Sequence, residues 1–256
     1  FAEDVQFITH RGDMAVEKEN TLAAVKRAHT YGAKGCELDM RLREDGVVVM
    51  GHDRKEKDSE PFEPVAEFMS KNGMFPLLDI KEPAAEAPAL AIARKYGLIE
   101  KTLTIVYDEK KAKNQKVLEP RVSPFILSHR KKGENEEQYL NRYLAMLKEA
   151  GTDGAFLSTG NLWMTEKLHR LGYRVMFGSF TRASHLDGAL KAGADFLIVD
   201  DPAFVRKPAP DAKIVTVKFD PPKEGTVIRK LLACVDQCAA QRQAMPGAAP
   251  AKARAL

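Results

Sequence analysis

CELDMRLREDGVVVMGHD, residues 36–53 of the chain, contains two short extended runs separated by a turn. The first run, Cys36–Leu42, alternates apolar and charged side chains, as a strand with two different faces does. Asp45-Gly46 is a strong hairpin signal, and so tight a turn joins only antiparallel strands. We therefore expect Val47–Asp53 to fold back beside the end of the first run and to bring His52 and Asp53 to that end.

Short apolar runs alternate with helical patterns along most of the chain, which is typical of repeated βα units. The predicted strands are Gln6–His10, Cys36–Leu42, Pro76–Lys81, Thr102–Tyr107, Pro124–His129, Ala155–Ser158, Arg174–Phe180 and Phe196–Asp200. The predicted helices, several closed by a glycine, are Glu19–Tyr31, Ala84–Tyr96, Glu134–Ala150, Thr165–Leu171 and Ala183–Ala192. Eight strands with intervening helices predict an α/β fold, a closed (β/α)₈ TIM barrel, with the hairpin outside the parallel ring.

The C-terminal part of the chain has a different pattern. Ile214–Phe219 predicts a short extra strand and Thr226–Gln241 an amphipathic helix, while Met245–Leu256 has the composition of a mobile tail. We therefore expect one barrel domain over residues 1–244 with a C-terminal helical extension, and a tail over residues 245–256.

Composition limits the classes of partner. With 256 residues, of which 44% are apolar, the chain is long enough for one barrel. Its formal charge of +4 comes from basic residues scattered among acids, so nucleic acid is not indicated, whereas a small anionic substrate is acceptable. No apolar run reaches the roughly 20 residues that span a bilayer, so no transmembrane segment is expected. The sequence does not determine the oligomeric state.

The first residue and the cysteines bear on compartment and thiol chemistry. The chain begins with Phe1 and has no leader pattern, so a periplasmic or secreted location after removal of a leader and a cytoplasmic location both stay open. Three cysteines cannot form a closed disulfide framework, and Cys234 and Cys238 alone are too few ligands for zinc. We expect small buried thiols.

Three acids are candidates for metal ligands. Glu37 and Asp39 lie on one face of their strand, and Asp79 belongs to Asp79-Ile80-Lys81, which ends the third predicted strand. If that face is the barrel lumen, a cation is needed to offset the buried like charges. Three oxygen donors suit one divalent cation, Mg²⁺ or Ca²⁺. The alternative for Glu37 and Asp39 is a solvated strand face.

Two histidines and two basic residues complete the candidate site. His10 and His52 are a natural acid–base pair because imidazole titrates near neutral pH. Arg11 and Lys81 can bind phosphate oxygens, or they can simply neutralise the neighbouring acids. His129, at the end of the fifth strand, is a weaker candidate for substrate contact, and Trp163 and Phe180 are weaker candidates for the pocket wall.

These residues stand in motifs that resemble those of the glycerophosphodiester phosphodiesterases. The motifs are, in order, Thr9-His10-Arg11-Gly12, Glu19-Asn20-Thr21, Gly35-Cys36-Glu37-Leu38-Asp39, Asp45-Gly46, His52-Asp53, Asp79-Ile80-Lys81, Gly193-Ala194-Asp195 and Val199-Asp200-Asp201-Pro202. The resemblance implies a phosphodiesterase that hydrolyses glycerophosphodiesters to glycerol phosphate and an alcohol. It also implies that His10 and His52 are catalytic, that Glu37, Asp39 and Asp79 bind the metal, and that Arg11 and Lys81 face the phosphate.

The chain departs from the family pattern at three places. Asp79 stands where the family usually has Glu, Val175–Phe180 replaces a Trp-Thr-x-Asn-like segment, and only 25 residues separate Asp53 from Asp79, which predicts a more open site. Two alternatives follow: a sphingomyelinase D-like or lysophospholipase D-like lipid phosphodiesterase, and a barrel that binds phosphodiesters without turnover.

Overall fold

The computed structural model describes residues 5–53, 58–152 and 154–206. Its strands are β1 (Gln6–His10), β2 (Gly35–Leu42), β3 (Val48–Met50), β4 (Phe75–Ile80), β5 (Leu103–Val106), β6 (Ser123–Leu127), β7 (Gly154–Leu157), β8 (Arg174–Phe180) and β9 (Phe196–Val199). Its α-helices are α1 (Leu22–Thr30), α2 (Phe62–Lys71), α3 (Pro83–Lys95), α4 (Glu109–Leu118), α5 (Glu136–Ala150), α6 (Thr165–Arg170), α7 (Leu186–Ala192) and α8 (Ala203–Arg206).

Eight parallel strands form a closed ring in the order β1-β2-β4-β5-β6-β7-β8-β9, and β9 pairs with β1. The remaining strand, β3, pairs antiparallel with the end of β2, with Met50 opposite Met40. The predicted (β/α)₈ TIM barrel and its hairpin after the second strand are therefore confirmed.

The core has an inner and an outer layer. Inside the ring, Phe196 makes edge-to-face contacts with Phe75 and Phe125 and is fully buried. Between the ring and the helices, Cys36 and Leu38 pack with helix residues, which leaves the alternate residues of β2 facing inward. Phe180 also belongs to the outer layer.

The helix prediction was partly correct. Helix α1 begins at Leu22 and not at Glu19, because the Thr21 hydroxyl accepts a hydrogen bond from Ala24 N (3.2 Å) and caps the helix there. The predicted segment from Ala183 starts as a short 3₁₀ turn before α7. Helices α2 and α4 were not among the predicted helices.

The predicted strand Ile214–Phe219, the helix Thr226–Gln241, the domain boundary at residue 244 and the tail after it lie outside the described residues, as do Cys234 and Cys238. Within the described part, none of the helices combines the length and the apolar character needed to cross a bilayer. Cys36 is a buried free thiol, as expected.

A buried ionic network lies at the N-terminal ends of β8 and β9, opposite the candidate site. Asp195 accepts hydrogen bonds from Val175 N (2.7 Å) and His169 Nε2 (3.1 Å), and its other oxygen lies 2.9 Å from Arg174 Nε. The Arg174 side chain is 6% exposed and stacks over the Phe196 ring. The network therefore ties two neighbouring strands and α6 together.

Asp195→Asn is expected to lower the free energy of unfolding by about 3–5 kcal/mol, because it leaves the buried Arg174 charge without its counter-charge. Urea unfolding followed by circular dichroism measures the change. Glu166→Gln, which removes an exposed ion pair to Arg170, is the matched control and should change little. An Asp195→Asn protein as stable as the unmodified chain would contradict this role.

Candidate active site

The candidate site is a cavity of about 200 Å³ at the C-terminal ends of the strands. All seven predicted site residues line it: His10, Arg11, Glu37, Asp39, His52, Asp79 and Lys81. The other lining residues are Ile105, Tyr107, Leu127, Phe156, Gly178, Ser179 and Ile198. The charged residues thus stand beside a largely apolar wall that comes from strands β5 to β9 and from Tyr107, which follows β5.

The three acids converge because their strands are neighbours in register. Asp39 on β2 is aligned with Asp79 on β4, and Glu37 lies two residues before Asp39 on the same face. One oxygen from each of the three carboxylates lies within 4.8 Å of the others, and all three residues are buried. The structure therefore rules out the alternative of a solvated strand face.

Burial raises the pKa of Glu37 well above its ordinary value, and the carboxylates of Asp39 and Asp79 raise it further. Lys81 and Arg11 lower the same pKa without cancelling the rise. When all three acids are ionised, the negative charge of the cluster is therefore not fully neutralised by Lys81 and Arg11.

The donor set fits a hard divalent cation. Oδ1 of Asp79 is buried and has no hydrogen-bond partner in the described part of the chain, although an unpaired buried carboxylate oxygen is costly. Carboxylate oxygens are the ligands that Mg²⁺ and Ca²⁺ prefer. Glu37, Asp39 and Asp79 are thus the residues that could hold such an ion.

Two basic side chains contact the acids. Lys81 Nζ lies 2.7 Å from Asp39 Oδ1 and 2.6 Å from Asp79 Oδ2. Burial alone would lower the pKa of Lys81, but these two carboxylates outweigh it, so the pKa is raised and the ammonium stays charged. Arg11 Nε lies 3.1 Å from Asp39 Oδ2, and Nη1 donates to Glu19 Oε2 at 2.9 Å.

Each of the two histidines has its Nδ1 against a carboxylate. His10 Nδ1 lies 2.8 Å from Oδ1 of Asp200, which follows β9 directly. His52 Nδ1 contacts the carboxylate of Asp53. The partly buried contact with Asp200 orients the His10 ring, whose Nε2 lies 3.9 Å from Glu37 Oε2. The contact of His52 with Asp53 is largely exposed to solvent and is a weaker restraint. The hairpin end is held by Arg41 Nε, which donates to the carbonyls of Gly51 and His52 at 3.0 and 3.1 Å.

The turn after β1 explains why glycine follows His10-Arg11. Arg11 and Gly12 have positive φ angles of 56° and 86°. A Cβ at position 12 would lie 2.5 Å from Ala24 Cβ and 2.8 Å from the Ala24 carbonyl carbon, so only glycine allows α1 to pack so closely. The turn also lets Arg11 N donate to Glu37 Oε2 at 3.1 Å.

The structure adds residues to which the sequence assigned no role. Asn20 Nδ2 donates to Asp39 Oδ2 (2.8 Å), and its Oδ1 accepts from Asp39 N (3.0 Å), so Asn20 orients this acid. The others are Asp200, which contacts His10, and Tyr107, which contacts Asp79. Asn20 and Asp200 belong to the quoted motifs, which was the available signal, whereas Tyr107 had none.

The weaker candidates do not line the cavity. His129 is exposed, Trp163 is 40% exposed, and Phe180 is buried in the outer core layer. Phe180 is therefore not the pocket wall considered from the sequence. The two residues that precede it in β8, Gly178 and Ser179, line the cavity instead.

The ring of strands and the acids at its rim define the class of protein, a TIM barrel with its candidate site at the C-terminal ends of the strands. Residues 10–63 match the model of the Glycerophosphoryl diester phosphodiesterase family. A 46-residue stretch is 54% identical to the glycerophosphodiester phosphodiesterase of Caldanaerobacter subterraneus and covers 18% of this chain and 19% of that protein. The chain thus aligns with about a fifth of the length of this curated relative.

Two solved structures are similar in fold. For the putative glycerophosphoryl diester phosphodiesterase of Silicibacter pomeroyi the TM-score is 0.69 at 16% identity, over 78% of this chain and 91% of that one. The second is a phosphodiesterase of Oleispira antarctica in complex with the product sn-glycerol-3-phosphate. Its TM-score is 0.66 at 18% identity, and the match covers 79% of this chain and 97% of that one. At these identities the likeness shows the fold. Together with the motif match, it confirms the resemblance to the glycerophosphodiester phosphodiesterase family.

Proposed function

We propose that the protein is a metal-dependent phosphodiesterase that hydrolyses glycerophosphodiesters to glycerol phosphate and an alcohol. The observation that carries the proposal is the convergence of three acids, two histidines and two basic side chains on one cavity. The Oleispira antarctica protein, whose structure contains sn-glycerol-3-phosphate as product, supports this substrate class.

Glu37, Asp39 and Asp79 would hold one Mg²⁺ or Ca²⁺ ion. Bound by these residues, the ion would supply Lewis-acid polarisation of a phosphoryl oxygen. Under this proposal, Asn20 orients Asp39 through the two hydrogen bonds that join the two residues.

The chain's own residues supply binding and proton transfer. Arg11 and Lys81 bind the negatively charged phosphoryl oxygens and stabilise the charge that grows on them. One histidine accepts the proton of the attacking hydroxyl, and the other donates a proton to the leaving alkoxide. The attacking group is water or a neighbouring hydroxyl of the glycerol. In the second case, a cyclic phosphate forms first and water then opens it.

A turnover screen tests the proposal. Glycerophosphocholine, glycerophosphoethanolamine, glycerophosphoinositol and lysophospholipids are incubated with the protein and Mg²⁺ or Ca²⁺, and the released alcohol and glycerol phosphate are measured. Because only 25 residues separate Asp53 from Asp79, we expect bulkier head groups or an acyl chain to be accepted alongside the small diesters.

The outcomes of the screen separate the alternatives. Turnover of lysophospholipids alone would favour the sphingomyelinase D-like reading. Cation binding without turnover of any diester would favour the non-catalytic barrel. Strict selectivity for one small diester would contradict the prediction of an open site.

A further inference from the structure

The two oxygens of Asp79 have different surroundings. Oδ2 lies 2.6 Å from Lys81 Nζ and accepts a hydrogen bond from the Tyr107 hydroxyl at 3.0 Å. Oδ1 is buried and has no hydrogen-bond partner among the described residues. One side of the carboxylate is therefore fixed by the protein, and the other side is available to a ligand.

The register of the barrel explains how Tyr107 reaches this acid. Asp79 on β4 is aligned with Ile105 on β5, and Tyr107 lies two residues further along. Side chains two residues apart in an extended chain share a face, so Ile105 and Tyr107 both point to the cavity that they line. The tyrosine hydroxyl thus approaches Asp79 from the rim.

Lys81 alone does not fix the orientation of Asp79. Its ammonium is shared with Asp39 Oδ1 at 2.7 Å and acts as a point charge with three rotatable donors. The Tyr107 hydroxyl offers one directional donor instead.

We propose that Tyr107 is a positioning residue for the cation site: its hydroxyl holds Asp79 Oδ2 and thereby presents Oδ1 as the ligand. The inference rests on the proposed function, since it requires that the carboxylate cluster binds an ion. Tyr107 supplies this restraint from the end of β5, the strand that neighbours β4.

The test is the affinity of metal-free protein for Mg²⁺ and for Ca²⁺, measured by isothermal titration calorimetry on the full chain. Tyr107→Phe removes the hydroxyl and keeps the half-exposed ring. We expect about ten-fold weaker binding, equivalent to about 1.4 kcal/mol, with an unchanged melting temperature of the metal-free protein. At saturating metal, kcat should return to near the value of the unmodified chain, because the hydroxyl acts through Asp79.

Tyr96→Phe is the matched control. The Tyr96 hydroxyl also donates to a carboxylate, Glu63 Oε1 at 3.1 Å, and does not line the cavity. Its loss should leave the metal affinity unchanged. Equal affinities of the unmodified and Tyr107→Phe proteins would overturn the role of Tyr107 and leave the metal site intact. If the unmodified protein binds neither ion, the metal-dependent function and this inference are both overturned.

Discussion

Replacing His10 or His52 by alanine is expected to lower kcat by about 10² or more while the barrel stays folded. Both rings line the cavity and each has its Nδ1 in contact with a carboxylate, whereas alanine supplies no group that transfers a proton. Initial rates on a glycerophosphodiester measure the loss, and circular dichroism confirms the fold. A variant of either histidine with nearly full activity would exclude the paired acid–base mechanism.

His129→Ala is the control for these variants, because this histidine is exposed and does not line the cavity. The His129→Ala protein should retain the activity of the unmodified chain.

Asp200→Asn keeps the shape of the side chain that contacts His10 but removes its negative charge. We expect it to lower kcat less than His10→Ala does, with little change in KM, because Asp200 orients the His10 ring and does not itself transfer the proton.

Removal of divalent ions by a chelator is expected to abolish turnover, and Mg²⁺ or Ca²⁺ should restore it. The ligating carboxylates must be deprotonated before they bind an ion, so affinity should rise with pH. Because the folded-state pKa of Glu37 is raised, this group destabilises the metal-free protein as the pH rises through that pKa. The rise in melting temperature caused by metal should therefore be larger at neutral than at acidic pH.

The variant Asp79→Asn distinguishes an effect on metal binding from an effect on the stability of the fold. It should weaken the metal-induced rise in melting temperature more than it changes the melting temperature of the metal-free protein. Glu166→Gln, which alters an exposed acid far along the chain, should leave the metal response unchanged. Full activity in chelated protein, or a melting temperature that millimolar Mg²⁺ and Ca²⁺ do not change, would refute the proposed site.

The strands were predictable because each is a short apolar run, such as Leu103–Val106, with its own turn signals. Two helices were not predicted, each for a different reason. Helix α4 lacks the usual stripe of buried apolar residues, and helix α2 contains a proline near its start. Helix α4 buries only Ala112 and Gln115, and the Gln115 amide is satisfied by Thr104 and Glu86. Helix α2 contains Pro64, which reads as a helix breaker but lies in the first turn, where proline is tolerated.

The residues of the candidate site were predictable where strand alternation or motifs determine them, as for Glu37 and Asp39. The contact of Asp200 with His10 was not, because it joins residues 190 positions apart and requires knowledge that the ring closes. The Tyr107 hydroxyl carries no charge and stands in no motif, so its approach to Asp79 appears only once the strand register is known.

Because β9 is the last strand of the ring along the chain and pairs with β1, we expect completion of the site to be a late event in folding. All seven predicted site residues lie between positions 10 and 81, so they leave the ribosome well before β9 is made. His10 acquires its Asp200 contact only when the last strand pairs with the first, and contacts of such long sequence separation form slowly. A nascent chain can thus contain all seven predicted site residues while His10 still lacks its contact with Asp200.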